Sequence, residues 1–166
     1  EQRLTATTVH HIMGTLHKML SDALEWGLLS KLPKFPRIKL PKGEWDWLKP
    51  DETTRLMSVV SDHVERAELL FAWQTGCRIG EQLAVEKSDI DLDTGKVTFR
   101  KAIYRGEEGT TKTGYERTVE LSPSLRKALK AIWHTRGSKL FCDTYGRPLV
   151  AEHFKALLRK HLKHAG

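Results

Sequence analysis

The chain has 166 residues, enough for one ordinary hydrophobic core with a small appendage and too few for two domains of average size. Its 28 Lys and Arg against 21 Asp and Glu leave a formal charge of +7 and a pI near 9.5, which suits a polyanionic partner because each neutralised phosphate releases counterions. Cys77 and Cys142 form no C-x-x-C pair, which argues against a zinc knuckle or a disulfide framework, and no apolar run approaches the ~20 residues of a membrane span.

Glu1-Gln2-Arg3-Leu4 lacks the basic-then-apolar order of a signal peptide, so a soluble cytoplasmic protein is expected. Val9, Ile12, Met13, Leu16, Met19, Leu20, Ala23 and Leu24 recur at three- and four-residue steps, the stripe of an amphipathic helix that Gly27 can close. The run from Leu32 to Gly43 holds three prolines and four positive charges and reads as an extended basic linker. Pro50, Asp51 and Glu52 open a helix reaching about Val60. Leu69 to Trp73 leaves little polar face, the mark of a buried helix, with Gly76 placed to end it and Arg78 directly after. Ile79 to Val85 reads as another short helix.

The pattern then changes. Asp93 to Lys96 is a turn, Val97 to Phe99 and Ile103-Tyr104 have strand propensity, Gly106 to Gly109 reads as a loop, and Arg117 to Leu121 alternates like a half-buried strand. Together they predict a small antiparallel sheet. Ser122-Pro123 starts a helix with Leu125, Ala128, Leu129, Ile132 and Trp133 on one face, and a last helix over Ala151 to Lys163 directs Phe154, Leu157, Leu158 and Leu162 inward. The fold class expected is mainly α with a small antiparallel β-sheet.

Two decoys are set aside. Gly106 to Thr113 approaches a Walker A loop but carries Thr111 where the second glycine belongs, has two acids that repel phosphate, and sits between strands. Asp89, Asp91 and Asp93 approach a calcium loop, but Gly95 falls one place late and Arg100 replaces the bidentate acid.

Thr75-Gly76-Cys77-Arg78-Ile79-Gly80-Glu81-Gln82-Leu83, leading into Asp89-Ile90-Asp91, resembles the first conserved box of the tyrosine recombinases of the phage-integrase family. Thr111-Lys112-Thr113, followed by Arg117-Thr118-Val119-Glu120-Leu121, resembles that family's hairpin lysine and its return strand. Leu140-Phe141 before Gly146-Arg147-Pro148 is similar as well. The resemblance implies residues 1–32 as the last helix of a core-binding domain, 33–48 as a basic linker, and 49–166 as the N-terminal part of a catalytic domain.

By the same resemblance Arg78 contacts the non-bridging oxygens of a scissile phosphate, a task suited to a planar guanidinium fork, and Lys112 protonates the departing 5′ oxygen. Without the resemblance, Arg78 reads as a helix-end residue or a surface partner of Glu81, and Lys112 as a solvated turn lysine. Glu81 is expected to be a buried structural acid. Lys101, Arg105, Thr111, Thr113 and Arg117 are the expected DNA-binding residues around the hairpin; a charged sheet edge would look the same.

The implied activity is site-specific recombination, the integration or excision of a mobile element, on double-stranded DNA and through a 3′-phosphotyrosine. No metal or other cofactor is implied. A tetramer on DNA, located at the nucleoid, is expected of the full-length protein. A His-x-x-Arg box, a later His or Trp, and the nucleophilic tyrosine are expected beyond Gly166, which would leave this chain inactive alone. The rival reading is an accessory or architectural module that holds DNA without cutting it.

Overall fold

A computed structural model describes residues 4–36, 38–40 and 47–166, which divide into compact units at Trp47/Leu48. The expected linker falls partly on 37 and 41–46, outside the described residues. In the first unit, α1 spans Ala6–Glu25, capped at its start by the Thr5 hydroxyl, which accepts from the Thr8 N–H. Gly27, at φ 76°, ends it: its N–H returns to Leu24 O and that of Leu28 to Ala23 O, satisfying carbonyls the helix leaves open. Prolines keep the following segment extended, and the Phe35 ring meets His17 edge to face at 5.1 Å.

The second unit begins with α2 (Pro50–Val59), α3 (His63–Thr75) and α4 (Ile79–Ala84). Glu52 accepts from the Lys49 N–H at 2.7 Å, and Asp62 caps α3 through the amides of Val64 and Glu65. Gly76 is left-handed at φ 57°, a conformation that costs glycine no Cβ clash. Five short strands follow: β1 (Ile90–Asp91), β2 (Lys96–Phe99), β3 (Lys101–Tyr104), β4 (Glu107–Thr110) and β5 (Arg117–Glu120). The unit closes with α5 (Pro123–Ala131), capped by the Ser122 hydroxyl, and α6 (Ala151–Ala165). The fold is mainly α-helical with a small antiparallel β component.

Helices α3, α5 and α6 enclose the core with the sheet. Phe71, Phe99, Phe141 and Phe154 form a chain of edge-to-face contacts with centroids 5.3–6.2 Å apart, the geometry the ring quadrupole favours. Leu125 and Leu129 of α5 and Val97 of β2 are fully buried beside them.

All strand pairings are antiparallel, as expected, and fall into the ladders β1-β2-β5 and β3-β4. Two expectations need correction. Gly106 to Gly109 is not a loop: Glu107–Thr110 is β4, paired antiparallel with β3. Its residues are all exposed, so it has no apolar alternation to betray it. The strand is instead nucleated by the two-residue turn Arg105-Gly106, with φ 52° and 85°, values that match the twist of a tight hairpin. On α6 the buried face is Phe154, Leu157 and His161, while Leu158 and Leu162 are exposed at 37% and 36%. Histidine takes the inward position because Glu65 on α3 meets its Nε2 at 2.7 Å; a buried polar ring needs such a partner.

Candidate functional site

Arg78 is the N-cap of α4, two residues beyond the left-handed Gly76 that ends α3. The tight α3-α4 junction therefore fixes where its side chain starts. Glu81, one turn into α4 and 1% exposed, accepts the Arg78 backbone N–H on Oε2 at 2.9 Å and the Arg78 Nη1 on Oε1 at 2.9 Å. The Arg78 side chain stays 53% exposed. One edge of the guanidinium is thus held by protein while the remaining donors face outward.

Arg117, on β5 opposite Phe99 of β2, is the second partner of Glu81, its Nη2 donating to Oε2 at 2.6 Å. Its guanidinium lies 4.5 Å over the Phe99 ring and reaches the carbonyls of Thr75 and Gly76 at 3.4 Å. Arg117, expected among the DNA-tracking residues, is half-exposed and through these contacts joins the sheet to the α3-α4 junction. A signal for this was present: Arg117 shares its strand face with Val119 and Leu121, the buried side of the alternation. Burial raises the Glu81 carboxyl, but the Arg78 amide, Arg117 and the Arg78 side chain together outweigh it and hold the group below the ordinary carboxylate range. Glu81 is therefore a structural anion, as expected.

Lys112 lies in the turn between β4 and β5. Because β4 and β5 belong to different ladders, this is a crossing between two ribbons rather than the tip of one hairpin. Buried Thr111 closes the base of the turn, donating its hydroxyl to Tyr115 O at 2.8 Å and accepting the Gly114 N–H at 2.8 Å. Lys112 and Thr113 are exposed.

The two motifs meet in space. A cavity of about 660 Å³ is lined by Arg78 to Glu81 on one side and, on the other, by Ala102 to Tyr104, Glu107 to Thr110 and Lys112. Helix α4 reaches β3 closely because position 80 is glycine: a Cβ there would stand 2.7 Å from the Ile103 carbonyl oxygen. Of the remaining expected residues, Lys101 pairs with Glu108 at 2.8 Å, and Arg105 lies in the β3-β4 turn with its guanidinium 5.3 Å over Tyr104. Loss of hydration pushes the thiol of half-buried Cys77 up, toward its neutral form.

Chemically, a cationic guanidinium and an ammonium lining one open cavity can both donate to a tetrahedral anion held there. Among the described residues no cluster of His, Cys, Asp and Glu could hold a metal ion, and no helix is long and apolar enough to cross a membrane.

Comparison with known proteins gives the same frame. The integrase/recombinase y4qK of Sinorhizobium fredii (strain NBRC 101917 / NGR234) is 29% identical over 159 residues, covering 92% of this chain and 47% of its own length. The chain spans about half the length of the curated relatives it matches. The Tn1549 transposon integrase, solved in complex with transposon right end DNA, superposes with a TM-score of 0.81 at 18% identity, over 96% of this chain and 60% of that one. A lambda integrase tetramer bound to a Holliday junction gives 0.73 at 19%, over 97% and 48%. At these identities the likeness is one of fold. Residues 46–166 match the phage integrase family along their whole extent, and with Arg78 and Lys112 brought to one cavity on that fold, the chain belongs to this family.

Proposed function

We propose that the full-length protein of which this chain is part is a tyrosine-type site-specific recombinase that integrates or excises a mobile element. It acts on double-stranded DNA in the cytoplasm, at the nucleoid, and assembles as a tetramer. The reading of residues 1–32 as the end of a core-binding domain, 33–48 as a basic linker and 49–166 as the first part of the catalytic domain belongs to this proposal. Support comes from family membership, from the DNA-bound and tetrameric states in which the structural neighbours were solved, and above all from one observation: Arg78 and Lys112 line the same cavity.

The chemistry follows from these positions. A tyrosine hydroxyl, supplied from outside residues 1–166, loses its proton to water as its oxygen attacks phosphorus; a 3′-phosphotyrosine forms and the bond from phosphorus to the 5′ oxygen breaks. Arg78 donates to the non-bridging oxygens, where charge grows in the transition state. Lys112 gives its proton to the departing 5′ oxygen, which leaves as a hydroxyl, and takes one back when the strand is rejoined. The phosphotyrosine conserves the energy of the broken ester, so neither nucleotide nor metal is required. Exposed Thr113 follows Lys112 in the same turn and contacts the DNA backbone beside it, Lys101 and Arg105 on the β3-β4 ribbon contact it farther along, and buried Thr111 acts by holding the shape of the turn.

The test uses the full-length protein with a nicked duplex that traps the covalent adduct. Arg78→Ala should lower adduct formation roughly 10²–10³-fold, as loss of an oxyanion donor does, and Lys112→Ala by about 10²-fold or more, both with DNA affinity retained. Residues 1–166 alone should form no adduct. Wild-type cleavage by Lys112→Ala, or an adduct formed by residues 1–166 alone, would overturn the reading.

A further inference from the structure

Lys139 lies on the segment that follows α5, far in sequence from the motifs above, and is 8% exposed. A buried ammonium is costly unless every proton finds an acceptor. Here all three do: Nζ donates to Ala84 O at 2.9 Å, to Glu86 Oε1 at 3.1 Å, and to the Glu108 carboxylate. The backbone fixes the residue from both sides, since Lys87 N–H reaches Ser138 O at 2.9 Å and Leu140 N–H reaches Val85 O at 3.0 Å.

These acceptors have separate origins. Ala84 ends α4, the helix that Arg78 begins, and Glu86 follows it. Glu108 is the second residue of β4, the strand that runs into the Lys112 turn, and it lines the cavity shared with Arg78. Lys101 holds its other oxygen at 2.8 Å. The β3-β4 ribbon belongs to a ladder separate from the main sheet; β3 packs on α4 and the core through Ile103, whereas β4 is exposed along its whole length and has no apolar anchor of its own. A two-stranded ribbon of this kind is marginal alone.

We propose that Lys139 is a positioning residue for Lys112: its ammonium ties β4 to the end of α4, so that the turn carrying Lys112 faces Arg78 across the cavity. The tie also neutralises Glu108, which would otherwise repel a phosphate entering between them. Lys101 and Lys139 stabilise the ionised carboxylate, in that order, and hold it below the ordinary range. The role in cleavage rests on the function proposed above; the mechanical tie does not.

Two readings separate them. Hydrogen–deuterium exchange of the full-length protein should show amides 107–116 opening about tenfold more readily in Lys139→Met, with α3 and α5 unchanged. Glu108→Gln, which alters only the partly exposed end of the tie, should show a smaller change in the same segment. Unchanged exchange at 107–116 in both variants, or acceleration spread evenly over the fold, overturns the proposal.

In cleavage, Lys139→Met should slow adduct formation without weakening DNA binding, and the defect should disappear when the 5′ leaving oxygen is replaced by sulfur, which departs without a proton. Lys112→Ala serves as the reference. If sulfur fails to rescue Lys112→Ala, the recombinase roles fall while the exchange result stands. If it rescues Lys112→Ala but not Lys139→Met, the positioning role falls.

Discussion

The carboxylate of Glu81 on α4 and the guanidinium of Arg117 on β5 are 2.6 Å apart, although 36 residues separate them in sequence. Through this pair the β-sheet holds the acid that holds Arg78. With Arg117 stacked on Phe99 and bonded to Glu81, the acid that grips Arg78 is fixed in advance, so the Arg78 fork has less freedom to lose when substrate arrives.

Arg117→Ala should therefore destabilise the fold by about 2 kcal/mol. That is less than the cost of breaking a fully buried pair, because Arg117 is half-exposed and solvent screens part of the interaction. Arg117→Lys should recover only part of it, having neither the second donor edge nor the flat face. Urea denaturation of the three proteins checks this; equal midpoints would mean Arg117 is a surface residue.

Glu68 supplies a prediction in pH. It is 3% exposed on α3 and contacts His153 Nε2 at 2.8 Å. Burial, the largest influence, raises its carboxyl, against the opposing effect of His153. A raised carboxylate pKa means the folded state resists ionisation, so its contribution to stability falls as pH rises above the unfolded value near 4.5. Glu68→Gln should be more stable than the wild type at pH 7, with the advantage shrinking toward pH 4. Thermal melts at both pH values test the sign.

The depressed acids act the other way. Glu81, Glu65 and Glu108 lie below their ordinary value of 4.5, so the stability they lend is complete above that pH and is lost as pH falls through their folded values. Acid unfolding should begin below about pH 4.5, and Glu81→Gln should flatten its onset. An onset identical in both proteins would deny Glu81 this role.

Gly80→Ala places a Cβ 2.7 Å from a backbone oxygen of β3. Neither partner is a flexible side chain, so α4 and β3 must separate. A loss of about 1–3 kcal/mol is expected, the range for forced overpacking, together with a wider spacing of Arg78 from the β3-β4 ribbon. A calorimetric midpoint unchanged from wild type would show that the contact yields freely.

At Arg105, φ is 52°, where a side chain crowds its own backbone. Arg105→Asn should stabilise the chain by about 0.5 kcal/mol, because asparagine tolerates the left-handed region better and precedes Gly106 in the preferred order for a tight hairpin. Chemical denaturation reads the change; a loss of stability would mean that the Arg105 stack on Tyr104 outweighs the strain.

Local chemistry by itself determined much of this protein. Pro50, Gly76 and Ser122-Pro123 mark helix ends because capping and left-handed turns act within a few residues, and the apolar stripes of α1 and α5 follow from period alone. The site motifs around Arg78 and Lys112 were likewise readable as strings of residues. Only the tertiary structure decided the rest. It made β4 a strand without a hydrophobic residue, since its order comes from the Arg105-Gly106 turn and from lysines on other segments. It turned His161 inward in preference to Leu158 and Leu162, since Glu65 on another helix meets the ring. It brought Arg117 onto Glu81, and it set Lys112 between two ladders, on the lining of the cavity that Arg78 shares. Each of these depends on a partner distant in the chain, and periodicity carries no information about which distant charge a side chain will find.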